Sequence, residues 1–367
     1  MSKPVRLGFI GCGSVMQGSY VPLAQELARE GLVELTAACD VDEAKVKSIC
    51  DRAGILRGST NYEDVIGSND VDVVLVLTSM PQHGPITKAA LEAGKHVLVE
   101  KPMAVTLEAA AEIVTIAKTS KGHLMPAPHV VLSPTYQRIW QRVHDGDIGK
   151  VCLARARYGW AGPAWGKWFY EPGGGSLFDL GVYNVVTLTG LLGPAKRVTG
   201  MVGVAIPERE VEGEKVRVEA DDNAHVLIDF GEARFAVVTT GFTMQKSQGP
   251  SIELYGSEGT LHMKGYDWAP DGYELWRNSF GAWETHLETN RKWPWTAGLR
   301  HLVECVRDGS TPLITPEHGY HVLEIMLKAQ AAGKDGVAKD IESTFVAPTF
   351  GEDGPKIAHQ LDHNPSR

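Results

Sequence analysis

The sequence predicts an α/β fold: a doubly wound parallel sheet in the first third of the chain, followed by a strand-rich α+β region. Three observations carry this. The chain opens on strand, glycine turn, helix, strand and acid, in that order. Short apolar runs then alternate with helical patterns as far as about residue 126, the pattern of parallel strands joined by crossover helices. From about 197 to 263 the apolar runs follow one another closely, and several alternate polar with apolar, as in a sheet with one wet face.

The opening unit is the most informative. Val5 to Ile10 reads as a buried strand running into Gly11-Cys-Gly13-Ser14-Val15-Met16. A helix is expected from about Gly18 to Arg29, with Gly31 as its stop. Leu32 to Cys39 reads as the second strand, ending at Asp40. Gly11 permits the tight turn, and Gly13 lets a pyrophosphate approach the backbone at a helix N-terminus, where negative charge is favoured. Ser14 and Val15 complete that turn as expected cofactor contacts. The place of the third glycine is held by Met16. Asp40 accepts hydrogen bonds from a ribose 2′-hydroxyl and repels a 2′-phosphate, so NAD is favoured over NADP.

The alternation continues with helices expected at 42–54 and 62–67, a strand at Val71–Leu77 ending near Thr78, and a helix from about Pro85 to Ala93. His83 stands just before that helix, either near the nicotinamide or as a structural residue at the helix start. Val97 to Val99 form the next buried strand, and Glu100-Lys101-Pro102 follow where it leaves the sheet. Ligands collect at the carboxyl ends of such strands. Pro102 disfavours a helical conformation at Lys101, which places Lys101 on a stiff turn with its ammonium projecting. A helix at about 107–118 and a strand at 123–126 complete the unit. Pro126-Ala-Pro128 marks the boundary between a 1–126 dinucleotide-binding domain and a 127–367 substrate-binding domain.

The 367-residue length suits two domains. A net charge of −9 without a basic run argues against nucleic acid or an anionic membrane as partner. No apolar stretch reaches the roughly 18–20 residues of a membrane span. Five scattered cysteines, none in a CxxC pair, fit free thiols in a reducing cytoplasm and offer no metal site.

In the second half, a helix is expected at Pro134–His144 and a strand at Val151–Tyr158. A glycine-interrupted stretch then carries Trp160, Trp165, Trp168, Phe169 and Tyr170. Indole faces suit the apolar faces of sugar rings, so Trp165 and Trp168 are candidate substrate contacts, as is His129. After Pro172-Gly-Gly-Gly175, a helix places Asp179 and Tyr183 on one face, four residues apart. Residues 264–294, rich in Trp and Gly, resist assignment. Helices return at about 296–308 and 316–332, and the last 15 or so residues read as a tail or an arm.

On Gly8-Phe-Ile-Gly-Cys-Gly13, His83, Ala90-Leu-Glu-Ala-Gly-Lys-His-Val97, Glu100-Lys-Pro102, Gly146-Asp-Ile-Gly-Lys150, Gly173-Gly-Gly-Ser-Leu-Phe-Asp179-Leu-Gly181 and Gly256-Ser-Glu-Gly-Thr260, the chain resembles the Gfo/Idh/MocA oxidoreductases. The resemblance implies a Rossmann domain plus an α+β domain with an open, mostly antiparallel mixed sheet. It implies a nicotinamide cofactor, Lys101 at the hydride-transfer site, and a homodimer or homotetramer formed through the open sheet. Two positions depart from the family pattern. Tyr183 stands where the family usually has His, which resembles the branch of glucose–fructose oxidoreductase and dimeric dihydrodiol dehydrogenase. Val186 replaces a later family Asp. Members of the Tyr branch often use NADP, but the charge of Asp40 acts directly on the discriminating phosphate.

The expected chemistry is hydride transfer between a nicotinamide and a secondary hydroxyl of a sugar or cyclic polyol. Lys101 and Tyr183 form the expected catalytic pair, with Asp179 orienting the substrate or the lysine. A free phenol titrates near 10, and an adjacent ammonium is expected to lower that value. Two alternatives share these motifs: a redox-neutral glycosidase or lyase working through a transient keto-sugar, and a non-catalytic nucleotide sensor.

Overall fold

The computed structural model describes residues 3–350 except 289 and 291; the expected C-terminal tail or arm lies largely outside the described residues. Strand β1, Val5–Ile10, is apolar along most of its length because helices cover both faces of its sheet. The glycine turn passes into a π-helical turn, Met16–Tyr20, before α1, Val21–Arg29. The helix expected from Gly18 therefore has two parts. The wider turn buries the side chains of Met16 and Tyr20, which a regular helix beginning at Gly18 would not place together.

Next come β2 (Val33–Cys39), α2 (Glu43–Ala53), β3 (Arg57–Ser59), α3 (Tyr62–Ile66), β4 (Val73–Val76) and α4 (Met80–Glu92). Helix α4 starts five residues before its expected first residue, Pro85. The sequence reading treated Pro85 as a start because proline breaks helix interiors. Here Pro81 already opens the helix, and Pro85 follows within its second turn. Strand β5 (His96–Val99), α5 (Leu107–Ala117) and β6 (Leu124–Pro126) complete a six-stranded parallel sheet of order β3-β2-β1-β4-β5-β6. The order reverses between β1 and β4. The carboxyl ends of β1, β4 and β5 therefore border the crevice where ligands bind in such sheets.

Helix α6, Pro134–His144, begins where the sequence places it, with the Ser133 hydroxyl accepting from Tyr136 N at 3.1 Å. Strand β7 (Val151–Gly159) leads into the aromatic loop. A second π-helical turn (Leu177–Gly181) then precedes α7 (Val182–Leu192), an almost fully buried helix. Strands β8 (Arg197–Gly203), β9 (Glu208–Val211), β10 (Glu214–Arg217), β11 (Asn223–Asp229), β12 (Phe235–Gly241), β13 (Ile252–Gly256), β14 (Gly259–Tyr266), β15 (Ala269–Arg277) and β16 (Trp283–Leu287) follow. Helices α8 (Gly298–Asp308) and α9 (Pro316–Asp335) and the two-residue β17 (Lys339–Asp340) close the described chain.

Nine of these strands form one sheet of order β16-β15-β14-β13-β7-β12-β11-β8-β17, antiparallel except where β7 lies parallel to β12. β9 and β10 stand apart as a ribbon. The strand expected over Val216–Ala220 is cut short because Glu219 and Ala220 donate their N–H groups to Tyr170 O, at 2.8 and 3.0 Å. The unassigned stretch 264–294 supplies β15 and β16. One sheet face packs on α6, α7 and α9. The other leaves Leu153, Met201, Leu227 and Phe235 exposed. The last helices return to the first sheet: α8 packs on β1 and β5, and Arg300 makes a forked pair with Glu30 at 2.8 and 2.6 Å. Among the described residues no helix is long and apolar enough to cross a membrane.

Candidate active site

The crevice has a backbone-built side and a side-chain-built side. On the first, Gly11 has φ +100°, and a Cβ there would lie 2.5 Å from Leu77 O. Only glycine fits where the end of β1 crosses the end of β4. A Cβ on Gly13 would meet nothing within 4 Å, so this backbone is open to a ligand. Ser14 and Val15 are exposed beside it, while Met16 is wholly buried and packs the helical turn onto the sheet. Asp40 is held in place: its Oδ2 accepts from Cys12 N at 2.7 Å and its Oδ1 from Asp42 N at 3.0 Å. An open glycine backbone entering a helical turn, with a fixed carboxylate at the end of β2, fits a dinucleotide with free ribose hydroxyls.

Thr78 follows β4 at the crevice. His83 is 1% exposed and joins two loops, with Nδ1 2.7 Å from Pro102 O and Nε2 3.0 Å from Thr78 O. Its ring is thus occupied by backbone carbonyls, and burial pushes its pKa down. Glu100 is 6% exposed and anchored at both oxygens, accepting from Tyr20 Oη at 2.8 Å and Lys101 N at 3.1 Å. It fixes the turn that carries Lys101.

Across the crevice, the π-helical turn before α7 presents Asp179. Lys101 Nζ donates to Asp179 Oδ1 at 2.6 Å and to Asp179 O at 2.9 Å, with both side chains largely buried. The Lys101 ammonium lies 5.4 Å from the centre of the Tyr183 ring. The structure thus brings Lys101, Asp179 and Tyr183 together. The expected lowering of the Tyr183 phenol is reversed, however. Burial first, and then the carboxylates of Glu100 and Asp179, push it well above its ordinary value. The ammonium is already committed to Asp179, so the resting phenol stays protonated.

Three further residues around Tyr183 escaped the sequence reading. Tyr158, at the end of β7, meets Tyr183 edge-on at 5.9 Å. Asn184 and Asp267 are both buried, and Asn184 Nδ2 donates to Asp267 Oδ2 at 2.6 Å. A polar pair of adjacent aromatic and amide residues on a helix was visible in Tyr183-Asn184. Its partner lay in the stretch whose strands the composition concealed.

Trp165 and Trp168 lie on the loop after β7, 52% and 37% exposed. Trp168 stacks on Phe169 at 3.7 Å and Trp165 packs against Trp160 at 5.5 Å. Phe169 and Tyr170 form a small second core with Leu180, Val211, Val218 and Phe242. His129 is not brought to the crevice cluster. It is 1% exposed beneath α8, where a Cβ on Gly298 would lie 2.4 Å from its ring, and burial pushes its pKa down to about 3.

Residues 5–127 match the family model described as "Oxidoreductase family, NAD-binding Rossmann fold", and residues 136–262 match the "GFO/IDH/MocA C-terminal domain". The chain belongs to the Gfo/Idh/MocA oxidoreductase family. It is 29% identical over 297 residues to a 1,5-anhydro-D-fructose reductase of Ensifer adhaerens, covering 79% of this chain and 86% of that protein. It is 27% identical over 339 residues to a trans-1,2-dihydrobenzene-1,2-diol dehydrogenase of Macaca fascicularis, covering 89% and 96%. In fold it is similar to a levoglucosan dehydrogenase solved with NADH and levoglucosan, at TM-score 0.83 and 19% identity, over 93% of this chain and all of that one. The first sheet is thus the NAD-binding Rossmann domain of an oxidoreductase.

Proposed function

We propose that this family member transfers a hydride between NAD and a secondary alcohol or ketone of a neutral sugar or cyclic polyol, with Lys101, Asp179 and Tyr183 as its catalytic group. The observation that carries this is the 2.6 Å Lys101–Asp179 pair, with Tyr183 beside it, facing the strand ends that border the crevice. Gly11, Gly13, Ser14 and Val15 would hold the pyrophosphate. Asp40 would accept the ribose hydroxyls, favouring NAD over NADP, and Thr78, Glu100 and Lys101 would border the nicotinamide. When bound, NAD supplies the hydride acceptor and NADH the donor.

The chain's own residues handle the proton. In the reducing direction, Lys101 polarises the ketone oxygen and the neutral Tyr183 phenol gives its proton to that oxygen as the alcohol forms. The phenolate left behind faces the Lys101 ammonium, which stabilises it. In the oxidising direction the Tyr183 phenol first gives its proton to solvent, and the phenolate so formed takes the hydroxyl proton. Asp179 orients Lys101. Trp165 and Trp168 would form the outer, sugar-facing rim.

The division near residue 126 separates cofactor from substrate binding in this reading. The exposed sheet face with Leu153, Met201, Leu227 and Phe235 joins subunits into a dimer or tetramer.

The test is NADH absorbance with NAD, in parallel with NADP, across monosaccharides, inositols and anhydrosugars. A rise with NAD and one sugar class is the expected result. Sugar consumed without NADH would replace this reading with redox-neutral elimination. Nucleotide binding with no turnover in either direction would leave only a sensor.

A further inference from the structure

We propose that Asp267 is a positioning residue of the hydride-transfer site: through Asn184 it locks the tip of the β14–β15 hairpin onto helix α7, and it transmits its own charge state to the Tyr183 phenol. The inference rests on the reading of Tyr183 as the proton-carrying group.

The hairpin tip is Tyr266-Asp267-Trp268. Tyr266 is half exposed and stacks on Trp268 at 5.8 Å. Tyr266 also packs on Tyr158 at 5.5 Å, and Tyr158 meets Tyr183 at 5.9 Å. An unbroken row of aromatic rings therefore runs from the hairpin tip to the catalytic phenol. Asp267 lies beneath this row, 1% exposed. Its Oδ2 accepts from Asn184, the residue after Tyr183, while its Oδ1 and Asn184 Oδ1 are buried without hydrogen-bond partners.

A carboxylate buried with one side-chain donor is poorly stabilised as an anion. Burial pushes Asp267 up to about 7, against the opposing pull of the Asn184 amide and the backbone N–H groups of Trp268 and Asp267. The carboxyl thus changes charge near neutrality. Its charge acts on Tyr158 of β7 and Tyr183 of α7; Asp179 acts on both phenols, Glu100 acts on Tyr183, and the Lys101 ammonium lies 5.4 Å from the centre of the Tyr183 ring. On its own hairpin, Lys264 is paired with Glu274 at 2.9 Å, and Asp271 lies against Gly265. Among the described residues no charged side chain hydrogen-bonds to Asp267. An anionic Asp267 strengthens the hold of both phenols on their protons, and a neutral one relaxes it.

The experiment needs no substrate. The full chain is labelled with 3-fluorotyrosine, the Tyr183 fluorine signal is assigned by its loss in Tyr183→Phe, and its shift is followed from pH 5 to 9 by nuclear magnetic resonance. The expected result is a step near neutral pH in the wild type that vanishes in Asp267→Asn. Asn184→Ala removes the hydrogen bond that favours the anion, so it should move the step to higher pH. This second variant also covers the case in which Asp267→Asn does not fold. No step in the wild type, a step surviving Asp267→Asn, or a step unmoved by Asn184→Ala would each overturn the inference. Failure of the catalytic reading is seen separately, as full turnover in Tyr183→Phe.

Discussion

The two walls of the crevice hold their polar groups differently. On the cofactor wall, Asp40 has a backbone N–H at each oxygen, and Glu100 has a donor at each oxygen. On the substrate wall, Asp267 and Asn184 each bury a side-chain oxygen without a hydrogen-bond partner. A carboxylate with a donor at each oxygen is held in place before any ligand arrives. An unsatisfied one is held by packing and responds to protonation. In the proposed function the first wall recognises a common cofactor and the second carries the substrate chemistry.

The sharpest way to break that assignment is at its contact line. Lys101→Ala and Tyr183→Phe should each reduce turnover by on the order of 10² or more, while NADH fluorescence titration shows binding largely kept. Loss of binding in step with turnover would place these residues on the cofactor wall instead.

Gly11→Ala should act on the rigid wall. With φ +100° and a Cβ 2.5 Å from Leu77 O, it should destabilise the fold by about 1–3 kcal/mol and weaken NADH binding. A melting temperature and a dissociation constant equal to wild type would show that this turn is softer than its contacts imply.

The buried histidines act on stability through pH rather than through a mutation. His129 and His318 are pushed down to about 3, and His96, His301 and His321 to about 4, each chiefly by burial. The unfolded chain takes up these protons near 6.5 and the folded chain does not. Stability should therefore be complete above about pH 6.5 and fall towards pH 4, by up to about 1.4 kcal/mol per pH unit for each histidine. Urea midpoints measured from pH 7 to 4 check this, and a flat profile would mean these rings find donors or water.

The smallest effect should come from Asp40→Ala. It should narrow the preference for NAD over NADP by about tenfold through lost charge, as read from the ratio of dissociation constants. An unchanged ratio would remove Asp40 from cofactor selection.

Much of the first wall was legible because its signals are local. Gly11, Gly13 and Asp40 stand at turns set by neighbouring residues, and the strand ending at Val99 announces the loop carrying Lys101. The 3.6-residue period also placed Asp179 and Tyr183 on one face, even though a π-helical turn begins there. The same local reasoning failed for His129. An imidazole in an irregular stretch carries no mark of whether α8, about 170 residues later, will cover it. It failed again for Asp267, hidden between Tyr266 and Trp268 where strands β14 and β15 turn back.

The sequence by itself determined the parallel sheet, the glycine turn, the acid after the second strand, and the lysine and tyrosine of the crevice. Each depends on backbone conformation and periodicity within a few residues. Only the tertiary structure decided which carboxylate holds Lys101, that Tyr183 rests protonated, and that Asp267 lies buried beneath the aromatic row. Those properties depend on burial and on charges brought together across 78 to 84 positions of chain, from Lys101 to Asp179 and from Tyr183 to Asp267, and no local pattern encodes them.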